Sequence, residues 1–309
     1  KENVKVTKVD WTITDEDGFE TDLANVIIDQ SDLSKVTVAI NDNAVPGTKL
    51  LLKVANVNGD AALSAEAIIV VADKAEALTI VDSSNSKLDT KLPNTASFVT
   101  GETNKVSALK GYFSVDDKEN IINNVVSGNN PFTISSRVYV PSSCKEMTGV
   151  VENHEKHTMI ASTGDNSFAY RIYHNSNQNY TTIDAYISNG TSWDQISSQV
   201  LQADFFDKWH TISVSYNGTD LQLYVDNDVY NFEGNKKVNA INKSNDKFAI
   251  GHEPQKTTRK SELTYEQVRV FNEALTIDQI NQANISNAQN VVLWLDFNNE
   301  FDNTLATPA

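Results

Sequence analysis

Apolar and polar residues alternate with a period of two along most of this chain, the repeat expected of strands with one face buried. Up to about residue 75 the alternation runs through Val4-Lys5-Val6-Thr7, Val36-Thr37-Val38-Ala39-Ile40 and Leu50-Leu51-Leu52-Lys53-Val54. Ile68-Ile69-Val70-Val71 is continuously apolar and predicts a buried strand. Turn formers separate these runs: Asp15-Glu16-Asp17-Gly18, Asn41-Asp42-Asn43, Pro46-Gly47 and Asn58-Gly59-Asp60. Trp11, in an early strand, is expected to plug the core. Further strands are predicted at Phe132–Val140, Phe168–Tyr173, Thr182–Ile187, Trp209–Tyr216 and Leu221–Val225, with Asn217-Gly218 turning the last pair into a hairpin. One helix is predicted, Ile277–Ala283, with Thr276 as its cap and Ile277 and Ile280 on one face.

Between these two stretches residues 73–97 are small, polar and charged, which places a domain boundary near Ala77. The expected domains are 1–77 and 78–309, both all-β. Short strands with closely spaced turns make the first a small sandwich of immunoglobulin-like type.

Charge and composition narrow the function. The 309 residues hold 25 Lys and Arg against 41 Asp and Glu, a formal net charge of −16. Such a chain has nothing to replace the counterions around nucleic-acid phosphate, and an anionic lipid surface repels it. With 39% hydrophobic and 21% charged residues it can build a core, so global disorder is excluded. The longest apolar run, Ala67 to Ala72, is far short of the roughly 20 residues that span a bilayer, so no membrane insertion is expected. Cys144 is the only cysteine, which excludes a disulfide framework and a thiolate metal site. Lys1-Glu2-Asn3-Val4 reads as a cut within a larger polypeptide, so the rest of that polypeptide is an expected partner.

Trp209-His210-Thr211-Ile212-Ser213-Val214-Ser215-Tyr216-Asn217-Gly218, followed by Leu221-Gln222-Leu223-Tyr224-Val225-Asp226, resembles the central hairpin of laminin-G-like, concanavalin A-type jelly rolls. Phe132-Thr133-Ile134-Ser135 is similar to that family's inner strand. Phe248-Ala249-Ile250-Gly251 and Gln267-Val268-Arg269-Val270-Phe271 through Thr276 resemble its closing strands and terminal helix. More narrowly, Thr163–Ala169, Asp204–Trp209 and Val291-Val292-Leu293-Trp294-Leu295-Asp296-Phe297 resemble the laminin-G-like module of bacterial β-galactosidases of glycoside hydrolase family 2. The Trp-Leu-Asp-Phe strand departs from most of the superfamily, where a similar strand opens the domain and does not close it. Family members bury the ring at Trp209, which is therefore expected in the core.

Catalysis is not expected. Family 16 glycosidases of this fold need Glu-x-Asp-x-x-Glu on one strand, and Glu262-Leu263-Thr264-Tyr265-Glu266 lacks the middle acid. No Gly-x-Ser-x-Gly elbow exists, and Cys144 falls among Ser142, Ser143 and Lys145 in a predicted loop. Glu152-Asn153-His154-Glu155-Lys156-His157 is the only histidine cluster, and it reads as a solvated polar loop before a metal site. Asp15-Glu16-Asp17-Gly18 is a turn, because the twelfth position of an EF-type calcium loop is Val26. Of the glycosylation-type triplets, Asn189-Gly190-Thr191 and Asn217-Gly218-Thr219 read as hairpin turns.

The resemblance also implies a structural calcium ion, and oxygen ligands in an acidic chain suit Ca²⁺; Asp296 and Glu266 are the candidate ligands. Sugar recognition needs an exposed flat aromatic ring beside polar groups that order hydroxyls. Trp193, just after Asn189-Gly190-Thr191-Ser192, is the candidate platform, with Tyr173, His174, Tyr180 and Arg259 as further contacts. The expected function is a non-catalytic accessory region of a secreted or surface-attached bacterial glycoside hydrolase that binds carbohydrate, by resemblance a galactose-containing glycan. The alternative is a structural spacer or protein-binding adhesion region with no glycan ligand.

Overall fold

A computed structural model of the chain describes residues 6–30, 32–41, 43–45, 47–71, 79–93, 95–102, 107–147, 152–232, 236–261, 263–284 and 290–297. Two compact units, Lys1–Glu76 and Ala77–Ala309, make up the chain. The boundary expected near Ala77, and Glu262 of the rejected glycosidase motif, lie outside the described residues.

Unit 1 contains strands β1 (Asp10–Asp15), β2 (Ala24–Ile28), β3 (Val36–Ile40), β4 (Lys49–Ala55) and β5 (Ala65–Val70). Three of them form a sheet in the order β1-β4-β5, and β2 and β3 form a separate antiparallel pair. Ala24, Leu50 and Val71 are buried, with Ile13, Leu23, Val38 and Ile69 packed against them. The Asp15 carboxylate accepts the N–H groups of Asp17 (3.0 Å) and Phe19 (2.8 Å), which closes the turn at Gly18. Two expectations fail in this unit. The run at Ile68–Val71 is no buried strand: β5 is the last strand of its sheet, and Ile68 and Val70 are 68% and 58% exposed. Only one of its faces finds packing partners, so Ile69 turns inward while its neighbours face water. Trp11 is half-buried outside the central cluster and donates its indole N–H to the Leu33 carbonyl (3.1 Å).

Unit 2 begins with β6 (Thr79–Ile80), β7 (Thr90–Lys91), β8 (Ala96–Thr100), β9 (Ser107–Gly111), β10 (Phe113–Ser114) and helix α1 (Ile121–Val125). The middle of the chain supplies β11 (Phe132–Val140), β12 (Glu155–Ser162), β13 (Phe168–Asn175), β14 (Tyr180–Ser188), β15 (Trp193–Ser197), β16 (Lys208–Tyr216), β17 (Leu221–Val225) and β18 (Asp228–Asn231). The last elements are β19 (Ala249–Ile250), β20 (His252–Glu253), β21 (Lys256–Lys260), β22 (Thr264–Phe271), α2 (Ile277–Gln282) and β23 (Val291–Asp296).

Two antiparallel sheets dominate, six strands in the order β10-β19-β12-β13-β14-β15 and eight in the order β18-β17-β16-β11-β22-β9-β8 with β23 also on β22. Alternate residues of each project between them. Phe132 of β11 meets Phe168 of β13 edge-on at 5.3 Å, and the Tyr170 and Ser136 hydroxyls bond at 2.6 Å. Tyr265 of β22 donates to the Ile160 carbonyl at 3.1 Å. These polar ties fix the register of two otherwise apolar faces. The buried Asp82 carboxylate accepts the N–H groups of Ser84, Leu88 and Trp294 and the Ser84 hydroxyl, and so pins the first segment of unit 2 to β23.

The Asn-Gly-Thr triplets are hairpin loops of one design. Asn189 Oδ1 accepts the N–H groups of Thr191 and Ser192, and Asn217 Oδ1 accepts those of Thr219 and Asp220. Gly218 is required in its loop: its φ is +95°, and a Cβ there would stand 2.7 Å from the Asn129 carbonyl. Thr276 and Gln279 form a reciprocal capping box on α2. The second helix, α1, was not expected. Five residues are too few to show a helical period, and its start is held by Asp117, which accepts the N–H groups of Ile121 and Ile122. Cys144 is likewise not in a loop but buried in a short 3₁₀ turn, Ser142–Lys145.

Trp209 departs from expectation for a geometric reason. Ile212, Val214 and Tyr216 of β16 face the core, so Trp209 has the opposite parity. It is half-buried on the outer face, with its ring 5.7 Å from that of its cross-strand partner Tyr139.

Candidate functional site

A cavity of about 430 Å³ opens on the outer face of the six-stranded sheet, within the range of small-ligand sites. Inward residues of its strands, such as Ile160, Tyr170, Ile172, Ile183, Ala185 and Ile196, belong to the core. The alternate residues build the cavity: Glu155 and His157 on β12, Arg171 and Tyr173 on β13, Tyr180, Asp184 and Tyr186 on β14, and Trp193 and Gln195 on β15. Arg259 of β21 and Asp165 of the β12–β13 loop complete the wall.

The floor is a chain of paired charges between aromatic rings. Arg171 places its guanidinium 5.3 Å from the Tyr173 ring and 5.5 Å from the Tyr186 ring, with the Asp184 carboxylate 3.8 Å away. Asp184 also accepts the Thr182 hydroxyl (2.9 Å) and the Gln195 amide (3.1 Å), while burial raises its pKa. Arg259 reaches Glu253 at 2.9 Å, Glu152 at 3.0 Å and Asp165 at 3.6 Å. Burial opposes its charge, but Glu253 and Glu152 outweigh that and hold its pKa above the ordinary range. Tyr173 donates to Glu155 (2.7 Å) and Tyr186 to Glu253 (3.1 Å), so both rings are fixed before anything binds.

His157 is the odd member. It is 7% exposed, and neither ring nitrogen has a hydrogen-bond partner. Its Nε2 stands 3.3 Å from a Glu155 oxygen without closing a bond. Burial first, then the Arg171 and Arg259 charges, pushes its pKa down to about 3, so the ring is neutral. Trp193, 58% exposed, is the most open aromatic ring of the cavity, with Lys237 Nζ 5.9 Å from its centroid.

Of the residues singled out in the sequence, Trp193, Tyr173, Tyr180 and Arg259 line this one cavity. His174 does not. Adjacent residues of a strand point to opposite faces, so the neighbour of Tyr173 turns away; His174 is buried with its Nδ1 2.9 Å from the Thr181 hydroxyl. Glu152 to His157 is no solvated loop either, since Glu155 opens β12 and His157 lies within it.

Glu266 does not fit as a calcium ligand. Glu266 Oε1 accepts the Glu102 N–H at 2.7 Å, and the Arg137 guanidinium lies 4.0 Å from its Oε2. A cation there would have to displace a donor and face an arginine. Among the described residues no group of three or more His, Cys, Asp or Glu side chains is arranged to hold a metal.

The family model of the concanavalin A-like lectin/glucanase superfamily matches residues 111–281, more than half of the chain. The chain belongs to this superfamily. The matched segment carries every residue of the cavity. Among solved structures, the enzymatically active domain of tailspike protein 2 from bacteriophage CBA120 is 12% identical, with a TM-score of 0.48 over 66% of this chain and 32% of that one. Domain 4 of the extracellular arabinanase AbnA from Geobacillus stearothermophilus, solved with arabinotriose, is 14% identical, with a TM-score of 0.34 over 66% of this chain and 97% of that domain. The SAP-like pentraxin of Limulus polyphemus is 16% identical, with a TM-score of 0.36 over 67% and 91%. The matches span about a third of the two tailspike chains. No curated protein matches the chain.

Sequence reasoning gave Glu155 and His157 to a solvated loop and missed Asp165, Arg171, Asp184, Tyr186 and Gln195 of this lectin/glucanase-type domain. One signal was available: Arg171 shares its parity with Tyr173, and Asp184 with Tyr186, so one strand face alternates charge and aromatic ring.

Proposed function

We propose that unit 2 is a non-catalytic carbohydrate-binding module and that the cavity on its six-stranded sheet is the sugar site. The observation that carries this is the joining, in one open cavity, of an exposed indole and three tyrosine rings with Arg171, Asp184, Gln195 and His157. Flat apolar faces suit the C–H face of a pyranose, and planar polar groups suit its hydroxyls. The module serves a secreted or surface-attached bacterial glycoside hydrolase of the family 2 β-galactosidase kind, with unit 1 as an immunoglobulin-like spacer. Exposed Ile68 and Val70 on the outermost strand of its sheet favour a second, protein-contacting role for unit 1 alone.

A glycan array probed with the 309-residue chain tests the reading. Retention on galactose-containing glycans, with no nitrophenol released from aryl glycosides, is the expected result. Binding to no glycan overturns the module, and sustained hydrolysis overturns its non-catalytic character.

A further inference from the structure

The most unusual group in the cavity is the one with nothing to bind. Buried polar atoms in folded proteins almost always have partners, and an orphan is costly. His157 carries two orphan nitrogens, and the Nε of Arg171 is a third unpartnered atom in the same cavity wall. The described neighbours of His157 leave it unsatisfied. Tyr173 meets its ring edge-on at 5.4 Å but spends its hydroxyl on Glu155. Glu155 itself stands beside Nε2 out of line.

We propose that His157 reads a hydroxyl of an uncharged sugar and that the cavity discriminates against sugar carboxylates. This rests on the carbohydrate reading of the cavity.

A neutral imidazole offers one N–H donor and one lone pair, and a hydroxyl is the common sugar group that can meet either. A carboxylate can meet only the donor. It would also have to sit against Glu155 and leave the lone pair of the ring facing a second acceptor. Among the described residues each guanidinium of the floor already has a carboxylate beside it. Arg171 is matched by Asp184, and Arg259 by Glu152, Glu253 and Asp165. The nearby lysines stand at the edge, Lys256 3.5 Å from Asp165 and Lys237 over the Trp193 ring. A ligand acid would therefore compete with carboxylates already in place.

The test uses matched probes, D-galactose with D-galacturonate and D-glucose with D-glucuronate, titrated into the full chain by ligand-observed NMR. The neutral sugar of at least one pair is expected to bind at least tenfold more tightly than its acid. His157→Phe is expected to weaken that sugar at least tenfold without lowering the melting temperature, since it removes orphan atoms and keeps a flat ring. His157→Gln carries the same comparison if the Phe variant does not fold. An acid that binds as tightly as its neutral partner, or variants that bind like wild type, overturns the inference and leaves the carbohydrate reading standing. No binding of any of the four sugars, together with an empty glycan array, overturns both.

Discussion

Arg171 and Arg269 stand on the outer faces of the two large sheets of unit 2, each with its guanidinium over two aromatic rings. For Arg269 these are Trp294 at 5.3 Å and Phe271 at 5.8 Å. There the sheet is roofed. Helix α2 lies over it, and Arg269 donates to the Ile280 and Ala283 carbonyls at the helix C-terminal end and to the Ser135 hydroxyl. Trp294, Phe271, Tyr224, Leu275 and Ile280 close a second small core around it, and burial pulls its pKa down to about 10. Arg171 has the same aromatic neighbours in kind but no described helix above, and its surroundings open into the cavity. The same cation-on-ring unit is thus a keystone where an element covers it and part of an open cavity wall where no described element does.

The sharpest way to break this comparison is to empty the roofed side. Trp294→Ala should cost about 3–5 kcal/mol through the cavity it leaves. For a unit of this size that is a fall of roughly 6–20 °C in melting temperature. Sugar binding on the other sheet should be unchanged at temperatures where the variant is folded. A stable Trp294→Ala, or one that loses binding in proportion to stability, would mean that the two faces are not independent.

On the open side the balance reverses. Trp193→Ala should leave the melting curve in place, because the ring is 58% exposed, and should weaken binding by about 2 kcal/mol, roughly 30-fold. Calorimetry on wild type and variant reads both quantities. Unchanged affinity removes Trp193 from the site.

These two tryptophans also show how far a single sequence reaches. Alternation located β11, β13, β14, β16 and β17, Asn-Gly located two hairpin loops, and Thr276 located the start of α2. Alternation also says which residues share a face, and it sets His174 opposite Tyr173 although both were expected at the site. It does not say which face turns inward or what lies over it. Arg171, Asp184 and Gln195 look like ordinary solvent-facing strand residues until β13, β14 and β15 are side by side. The roof over Arg269 depends on contacts between β11, β22, β23 and α2 that no local pattern encodes.

A further effect, seen only on the acid side, comes from His157. Its folded pKa, about 3, lies below the ordinary value of 6.5, so between those values the unfolded chain binds a proton that the native state refuses. Its contribution is complete above about pH 6.5 and is lost as pH falls, by about 1.4 kcal/mol per pH unit. His174 and His252 are shifted the same way by burial, so the effect of His157 is isolated by subtraction. The urea midpoint of wild type should fall relative to that of His157→Gln as pH is lowered from 7 to 4. Parallel curves would mean that the imidazole is not buried in its neutral form.

The smallest expected effect falls on Trp209, on the same outer face as Arg269 but away from the roof. Its ring contacts Tyr139 across one strand pair and is otherwise half in water. Truncation leaves no enclosed cavity, because solvent can fill the space from outside. What is lost is one aromatic cross-strand pair and part of an apolar face, together about 1 kcal/mol for Trp209→Ala. Denaturant titration of this variant beside Trp294→Ala compares two tryptophans on one face of one sheet. A ratio of about three or more in their costs is expected if covering by α2, and not residue type or sheet, sets the difference. Equal losses of 3–5 kcal/mol would place the Trp209 ring in a core and reverse the parity assigned to the start of β16.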